Sequence, residues 1–172
     1  MRFKSGNVIL IGFMGCGKTT VGLKLSYRLR QSVIDTDKEI EKEEKRTISD
    51  IFATDGEAYF RQRETACLEK MLQTTRDKII SVGGGLPMLE ENRKLLKQIG
   101  KVFYLRAKPE TIYQRLKYDT TRPLLRGDNP EGKITELMAK RASFYEQTAD
   151  VIIDVDNRDF EQIISLIEQA VQ

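Results

Sequence analysis

The sequence contains no histidine, and only two of its 172 residues are cysteine, Cys16 and Cys67. The absence of histidine excludes Ser-His-Asp catalysis, Cys-His catalysis and histidine-ligated zinc. Two cysteines provide neither a disulfide framework nor a spaced set of four metal ligands. Any chemistry must therefore depend on Lys, Arg, Asp and Glu side chains, on hydroxyl groups and on the backbone.

Long apolar runs are also missing, because no run approaches the roughly 18 residues that a membrane helix needs. The first residues, MRFKSGN, lack the apolar stretch of a signal peptide. We therefore expect a cytoplasmic protein with no membrane partner. The net charge of +3 is small and its basic residues are interleaved with acids, which argues against a nucleic-acid partner. The length predicts one domain, residues 1–172, and we expect a monomer.

Short apolar runs alternate with amphipathic segments along the chain. The runs are NVILIG (7–12), SVID (32–35), KIISV (78–82), KVFYLR (101–106) and DVIIDV (150–155). Runs that are apolar almost throughout are typical of strands covered on both faces. The alternation predicts an α/β fold of three layers, with helices on both faces of a parallel sheet.

The stretch GFMGCGKT, from Gly12 to Thr19, matches the phosphate-loop pattern and stands between a predicted strand and a predicted helix. Its backbone N–H groups would surround phosphate oxygens, Lys18 would reach the β- and γ-phosphates, and Thr19 would ligate Mg²⁺. The alternative is a glycine-rich turn without a ligand. No Asn-Lys-x-Asp guanine motif occurs, so we expect ATP as the nucleotide. Cys16 is either a small spacer in this loop or a thiol acidified by the helix N-terminus.

A second motif, VIDTDKEI, places Asp35 and Asp37 at the end of an apolar run. These carboxylates could form a metal site or a substrate clamp. The segment also fits a helix cap, because Thr36 and Glu39 match a capping box. On an extended chain Asp35 and Asp37 would point to the same side, and capping could operate at the same time.

Two arginines fall on the apolar faces of predicted helices. Arg141 shares the apolar stripe of the helix ITELMAKRASFYEQ, and Arg61 lies about two helical turns before Leu68. An inward arginine of this kind either extends its charged end to solvent at the edge of the core or needs an anionic partner. A planar carboxylate or phosphate suits its forked donors. Between these helices, SVGGG (81–85) follows a predicted strand, and its three glycines form either a simple turn or a segment that a ligand can approach closely.

Together these motifs resemble the shikimate kinase family along nearly the whole chain. The matching blocks are GFMGCGKTTVG, VIDTD, IFATDGEAYFRQRE, SVGGG, TTRPLL and LMAKRASFY, in the order and spacing of that family. The resemblance implies a five-stranded parallel sheet in the order 2-3-1-4-5, as in nucleoside monophosphate kinases. It also implies transfer of the ATP γ-phosphoryl group to the 3-hydroxyl of shikimate, with Mg²⁺ as cofactor, in aromatic amino-acid synthesis.

The resemblance further implies roles for individual residues. Asp35 would join Thr19 in the Mg²⁺ shell, and Lys18, Asp37 and Arg122 would be catalytic. Shikimate would be bound by Asp37, Arg61, Gly83, Gly84, Gly85 and Arg141. ATP would be bound by Gly15, Cys16, Gly17, Lys18, Thr19, Thr20, Arg115, Arg122 and Arg158. The chain departs from the family pattern after DVDN, because Phe160 stands where the family often has proline.

Residues 119–132, DTTRPLLRGDNPEG, contain two prolines and two glycines and predict a surface loop. We expect a mobile lid over about 118–131 that carries Arg122, and substrate-binding helices over about 37–75. Two other classes stay open: a related kinase acting on gluconate or a nucleoside monophosphate, and a nucleotide-binding module that has lost catalysis.

Overall fold

A computed structural model describes residues 5–119 and 127–172. Arg122 and much of the expected lid lie outside these ranges. The strands are β1 (Val8–Ile11), β2 (Val33–Asp35), β3 (Ile79–Ser81), β4 (Lys101–Arg106) and β5 (Val151–Asp154). All five strands predicted from the sequence are therefore present, each within or equal to its predicted range.

The helices are α1 (Lys18–Leu29), α2 (Thr36–Glu44), α3 (Ile48–Thr74), α4 (Glu90–Ile99), α5 (Pro109–Leu116), α6 (Pro130–Thr148) and α7 (Phe160–Val171). A short 3₁₀ helix covers Leu86–Met88. Helix α3 is interrupted at Gly56, whose φ of 84° is a conformation that glycine adopts at low cost. None of the described helices has both the length and the apolar character needed to cross a bilayer.

The five strands form one parallel sheet in the order β2-β3-β1-β4-β5. This order confirms the predicted fold class. Strand β1 is central, and the chain turns to one side of it to form β2 and β3 and to the other side to form β4 and β5. Ligands of open parallel sheets bind at the carboxyl ends of the strands, where the strand order reverses. We therefore expect a ligand to bind beside the segments that follow β1, β2 and β3.

Apolar side chains of alternating residues cover the two faces of the sheet. Val8 and Leu10 of β1 join a cluster that includes buried residues of α1, α5 and α7. Ile9 and Ile11 join a second cluster that includes buried residues of α2, α3 and α4. Because strand residues point alternately to opposite faces, this pattern produces the predicted three layers.

A buried asparagine ties together the opposite, amino-terminal end of the sheet. Asn7 is 3% exposed, and its Nδ2 donates to the carbonyls of Thr75 and Ile99, both at 3.0 Å. Its Oδ1 accepts from the Lys78 backbone N–H at 3.0 Å. One side chain thus satisfies three backbone groups at the ends of α3 and α4 and before β3.

Replacing Asn7 with alanine should lower the free energy of unfolding by roughly 2–4 kcal/mol, because buried backbone groups would lose their partners. Chemical denaturation of the variant and the wild type measures this difference. Gln169→Ala, at an exposed position of α7, is the control. Equal stability of Asn7→Ala and the wild type would show that water replaces the three contacts without cost.

Candidate active site

The segment between β1 and α1 has the geometry of a phosphate loop. Gly17 precedes α1 with φ of 109°, a conformation that L side chains rarely adopt. The Lys18 Nζ donates to the carbonyl oxygens of Gly12 at 2.6 Å and Phe13 at 3.3 Å. The ammonium group thus lies against its own loop, where two carbonyl oxygens accept hydrogen bonds from it.

Other residues of the loop differ in exposure. Thr19 and Thr20, in the first turn of α1, are exposed. Cys16 is 1% exposed and belongs to the apolar cluster under the loop. Its Sγ lies 3.7 Å from the Lys18 Nζ. Burial among apolar side chains favours the spacer interpretation of Cys16 over that of an accessible reactive thiol.

The second motif differs from its predicted local structure. Asp35, not Thr36, is the N-cap of α2: its Oδ1 accepts from the N–H groups of Asp37 at 2.9 Å and Lys38 at 3.2 Å. The predicted Thr36–Glu39 capping box is therefore wrong. The Thr36 hydroxyl is buried and accepts instead from the Gly83 N–H at 3.0 Å. The physical reason is a partner distant in sequence, which takes the hydroxyl away from its own helix.

Asp37 lies in the first turn of α2, so it does not share an extended strand with Asp35 as the sequence had suggested. The two carboxylates nevertheless line the same cleft. Burial raises the pKa of Asp37, and the negative charge of Asp35 adds to the rise while Lys18 opposes it. A carboxylate with a raised pKa binds a proton more readily than an ordinary aspartate does.

The glycines after β3 form a surface on which charged side chains converge. A methyl group at Gly83 would lie 2.8 Å from the Asp37 Oδ1, and one at Gly84 would lie 3.3 Å from the Arg141 Nη1. A methyl group at Gly85 would lie 2.5 Å from the Arg61 Nη2. Three predicted substrate residues thus meet at a backbone segment that is free of side chains.

Arg61 has a carboxyl partner inside the chain that the sequence analysis missed. Its Nη1 lies 2.5 Å from the Oε1 of Glu64, and its Nη2 lies 3.4 Å from the Oε1 of the more exposed Glu57. The Glu64 side chain is only 1% exposed. Residues three apart are neighbours on a helix, so an acid three positions after an inward arginine was a readable signal.

One cleft of about 470 Å³ connects these parts, a volume within the range of small-molecule sites. It is lined by Met14, Gly15, Gly17, Lys18, Thr19, Thr20, Asp35, Asp37, Ser81, Val82, Gly83, Gly84, Arg115 and Phe160. Arg61 and Arg141 flank Gly85 and Gly84 next to this cleft.

Arg115 and Arg158, the two arginines expected on the nucleotide side, lie in different places. The Arg115 Nη1 donates to the Gly15 carbonyl at 2.9 Å and lies against the phosphate loop. Arg158 lines a separate groove along α7, and its Nη1 donates to the Asp154 carbonyl at 2.5 Å. Phe160, noted in the sequence only as a departure from the family, lines the cleft instead.

The donor set of the cleft fits a magnesium ion. Asp35 uses one carboxylate oxygen for the helix cap and keeps the second oxygen, and Thr19 lies in the same cleft. Among the described residues, no group of three or more acids or cysteines could hold a metal by itself. That fits Mg²⁺, which is usually bound by one or two protein oxygens together with phosphate oxygens and water.

A phosphate loop after the central strand of a parallel 2-3-1-4-5 sheet, with an acidic motif at the end of the edge strand β2, defines a P-loop kinase of small molecules. The family model of shikimate kinase matches residues 14–172. The chain belongs to the shikimate kinase family.

Individual relatives agree with this assignment. A shikimate kinase from Alkaliphilus oremlandii is 44% identical over 160 residues, which cover 92% of this chain and 94% of that protein. The structure of the Acinetobacter baumannii shikimate kinase in complex with shikimate matches with a TM-score of 0.88 and 37% identity, covering 96% of this chain and 92% of that one. The Bacteroides thetaiotaomicron shikimate kinase matches with a TM-score of 0.86 and 29% identity, covering 96% and 97%.

The buried Glu64 leads to a prediction about pH. Burial raises its pKa from 4.5 to about 7, although Arg61 opposes the rise. Between these values the folded protein holds a proton that the unfolded chain has released. The contribution of Glu64 to the free energy of unfolding should therefore decrease as the pH rises from about 4.5 to 7, by up to about 3 kcal/mol.

Urea denaturation of the wild type and Glu64→Gln at several pH values measures this contribution, because the variant cannot titrate. The stability of the wild type relative to Glu64→Gln should fall across the interval and level off above it. Glu69→Gln, at an exposed position of α3, is the matched control. A stability difference that does not change with pH would contradict the prediction.

Proposed function

We propose that this chain transfers the γ-phosphoryl group of ATP to the 3-hydroxyl of shikimate, forming shikimate 3-phosphate and ADP. ATP-dependent phosphorylation of shikimate is the activity of the family to which the chain belongs. The product is an intermediate of aromatic amino-acid synthesis. The observation that carries the proposal is a single cleft that holds Lys18 and Thr19 together with Asp37.

The acid substrate would occupy the end of the cleft formed by the glycines. Arg141 and Arg61 lie against Gly84 and Gly85 and would bind the shikimate carboxylate. The backbone of Gly83, Gly84 and Gly85 can contact a ligand without interference from side chains. The Acinetobacter baumannii relative, solved with shikimate, supports this substrate class.

Asp37 would hold the hydroxyl that attacks the phosphorus. Its raised pKa suits a group that also accepts the proton of that hydroxyl. Phosphoryl transfer has a loose transition state, so positioning and neutralisation of charge contribute most of the catalysis. We therefore rank the positioning role of Asp37 first, with Lys18 neutralising charge on the transferred group.

The nucleotide would bind along the phosphate loop. Backbone N–H groups of Gly15, Cys16, Gly17 and Thr20 would surround the phosphates, and Arg115 would lie on the adenine side. Thr19 and Asp35 would hold Mg²⁺, which supplies positive charge to the phosphate oxygens. The adenine-side role of Arg158 and the lid role of Arg122 stay predictions from the sequence, as do the monomeric state and the cytoplasmic location.

A coupled assay of ADP release with shikimate, gluconate and AMP in parallel tests the proposal. We expect shikimate to stimulate ADP release. With gluconate or AMP, the rate of ADP release should equal the slow rate measured without any acceptor. Turnover with gluconate or AMP instead would identify a different kinase. ATP binding without turnover on any of the three would identify a module that has lost catalysis.

Replacing Arg141 with lysine should raise the shikimate KM about ten- to a hundredfold, because lysine keeps the charge but loses the planar fork. The ATP KM should stay within about twofold. Arg28→Lys, at an exposed ion pair on α1, is the matched control. Equal increases in both KM values would instead indicate general damage to the fold.

A further inference from the structure

Three consecutive glycines, Gly83 to Gly85, have great conformational freedom, so their fixed position requires anchors. The Thr36 hydroxyl anchors the Gly83 N–H at 3.0 Å. The Gly84 carbonyl is anchored from the opposite direction, because the Tyr145 hydroxyl donates to it at 2.7 Å. Tyr145 belongs to α6 and is 61 residues away from Gly84 along the chain.

Tyr145 also lies one helical turn after Arg141, on the same side of α6. The Arg141 Nη1 is the nearest side-chain atom to a methyl group built at Gly84, at 3.3 Å. Burial raises the pKa of Tyr145, and the positive charge of the neighbouring Arg141 opposes that rise. A tyrosine hydroxyl can donate one hydrogen bond while it accepts another, so it can serve both groups together.

Packing explains the ring of Tyr145 but does not explain the hydroxyl. The ring lies in the apolar cluster under α6, with its centroid 5.1 Å from that of Tyr104. Phenylalanine would fill the same volume without a polar atom. A hydroxyl in a side chain that is only 1% exposed is costly unless it is hydrogen-bonded. Its role is therefore found in the Gly84 carbonyl that it contacts and in the Arg141 guanidinium that lies beside Gly84.

We propose that Tyr145 is a positioning residue for the acid substrate, whose hydroxyl holds the Gly84 peptide and the Arg141 guanidinium in one fixed arrangement. The inference rests on the proposed function, because both groups are substrate contacts there. Tyr145 does not touch the substrate in this scheme. It acts by fixing the Gly84 peptide and the Arg141 guanidinium relative to each other before the substrate binds.

Tyr145→Phe tests the inference, with Tyr104→Phe as the matched control, since each removes one hydroxyl from the same cluster. Loss of the Gly84 contact should raise the shikimate KM about five- to thirtyfold in Tyr145→Phe. The ATP KM should stay within about twofold, and Tyr104→Phe should leave both constants unchanged. Circular dichroism at the assay temperature establishes that the variants are folded.

The double variant Tyr145→Phe/Arg141→Lys separates positioning from an independent effect. If Tyr145 acts through Arg141, the double variant should raise the shikimate KM by less than the product of the two single effects. A shikimate KM of Tyr145→Phe equal to that of the wild type overturns the inference. So do parallel increases in both KM values, or single effects that multiply fully.

The two proposals fail in different ways. Absence of shikimate-dependent ADP release from the wild type overturns the proposed function, and the inference with it. An active wild type whose Tyr145→Phe variant behaves like the Tyr104→Phe control overturns the inference alone.

Discussion

Parallel pairing of β3 with β1 on one side and with β2 on the other is the constraint on which the candidate site depends. Because parallel strands end at the same edge, the phosphate loop, the Asp35 cap and the three glycines are brought together although they are distant in sequence. Each segment then needs polar partners for the backbone groups that become buried when the segments pack together. Those partners come from neighbouring segments, so the contacts that complete the fold also shape the cleft.

The acidic side chains of the site each lie near a basic side chain. Asp37 is raised in pKa by burial and by Asp35, and Lys18 and Arg61 oppose that rise. Glu64 holds Arg61 through one nitrogen, and a second nitrogen of that fork faces Gly85 and the more exposed Glu57. A half-buried arginine without Glu64 would be costly, while one fully enclosed by acids could not bind a carboxylate. The observed pairing lies between these two extremes.

The sequence predicted the five strands, the layer arrangement and the phosphate loop, because apolar runs and glycine spacing are local signals. It did not predict that Thr36 would contact Gly83 or that Tyr145 would contact Gly84, since these pairs are 47 and 61 residues apart. The predicted capping box failed for the same reason. Local spacing shows which groups could pair, whereas tertiary packing decides which of them do.

The resting position of Lys18 has a consequence for the turnover cycle. Its ammonium group already has two carbonyl oxygens of its own loop as partners. If Lys18 binds the nucleotide as proposed, binding would exchange these oxygen contacts for phosphate contacts, and the affinity would reflect only the difference between the two sets. The same two carbonyl oxygens would accept hydrogen bonds from Lys18 again when ADP leaves, so the ammonium group would not be left without an acceptor. A loop whose carbonyl oxygens already accept hydrogen bonds from its own lysine could bind the phosphates of ATP tightly enough for transfer and still release ADP quickly.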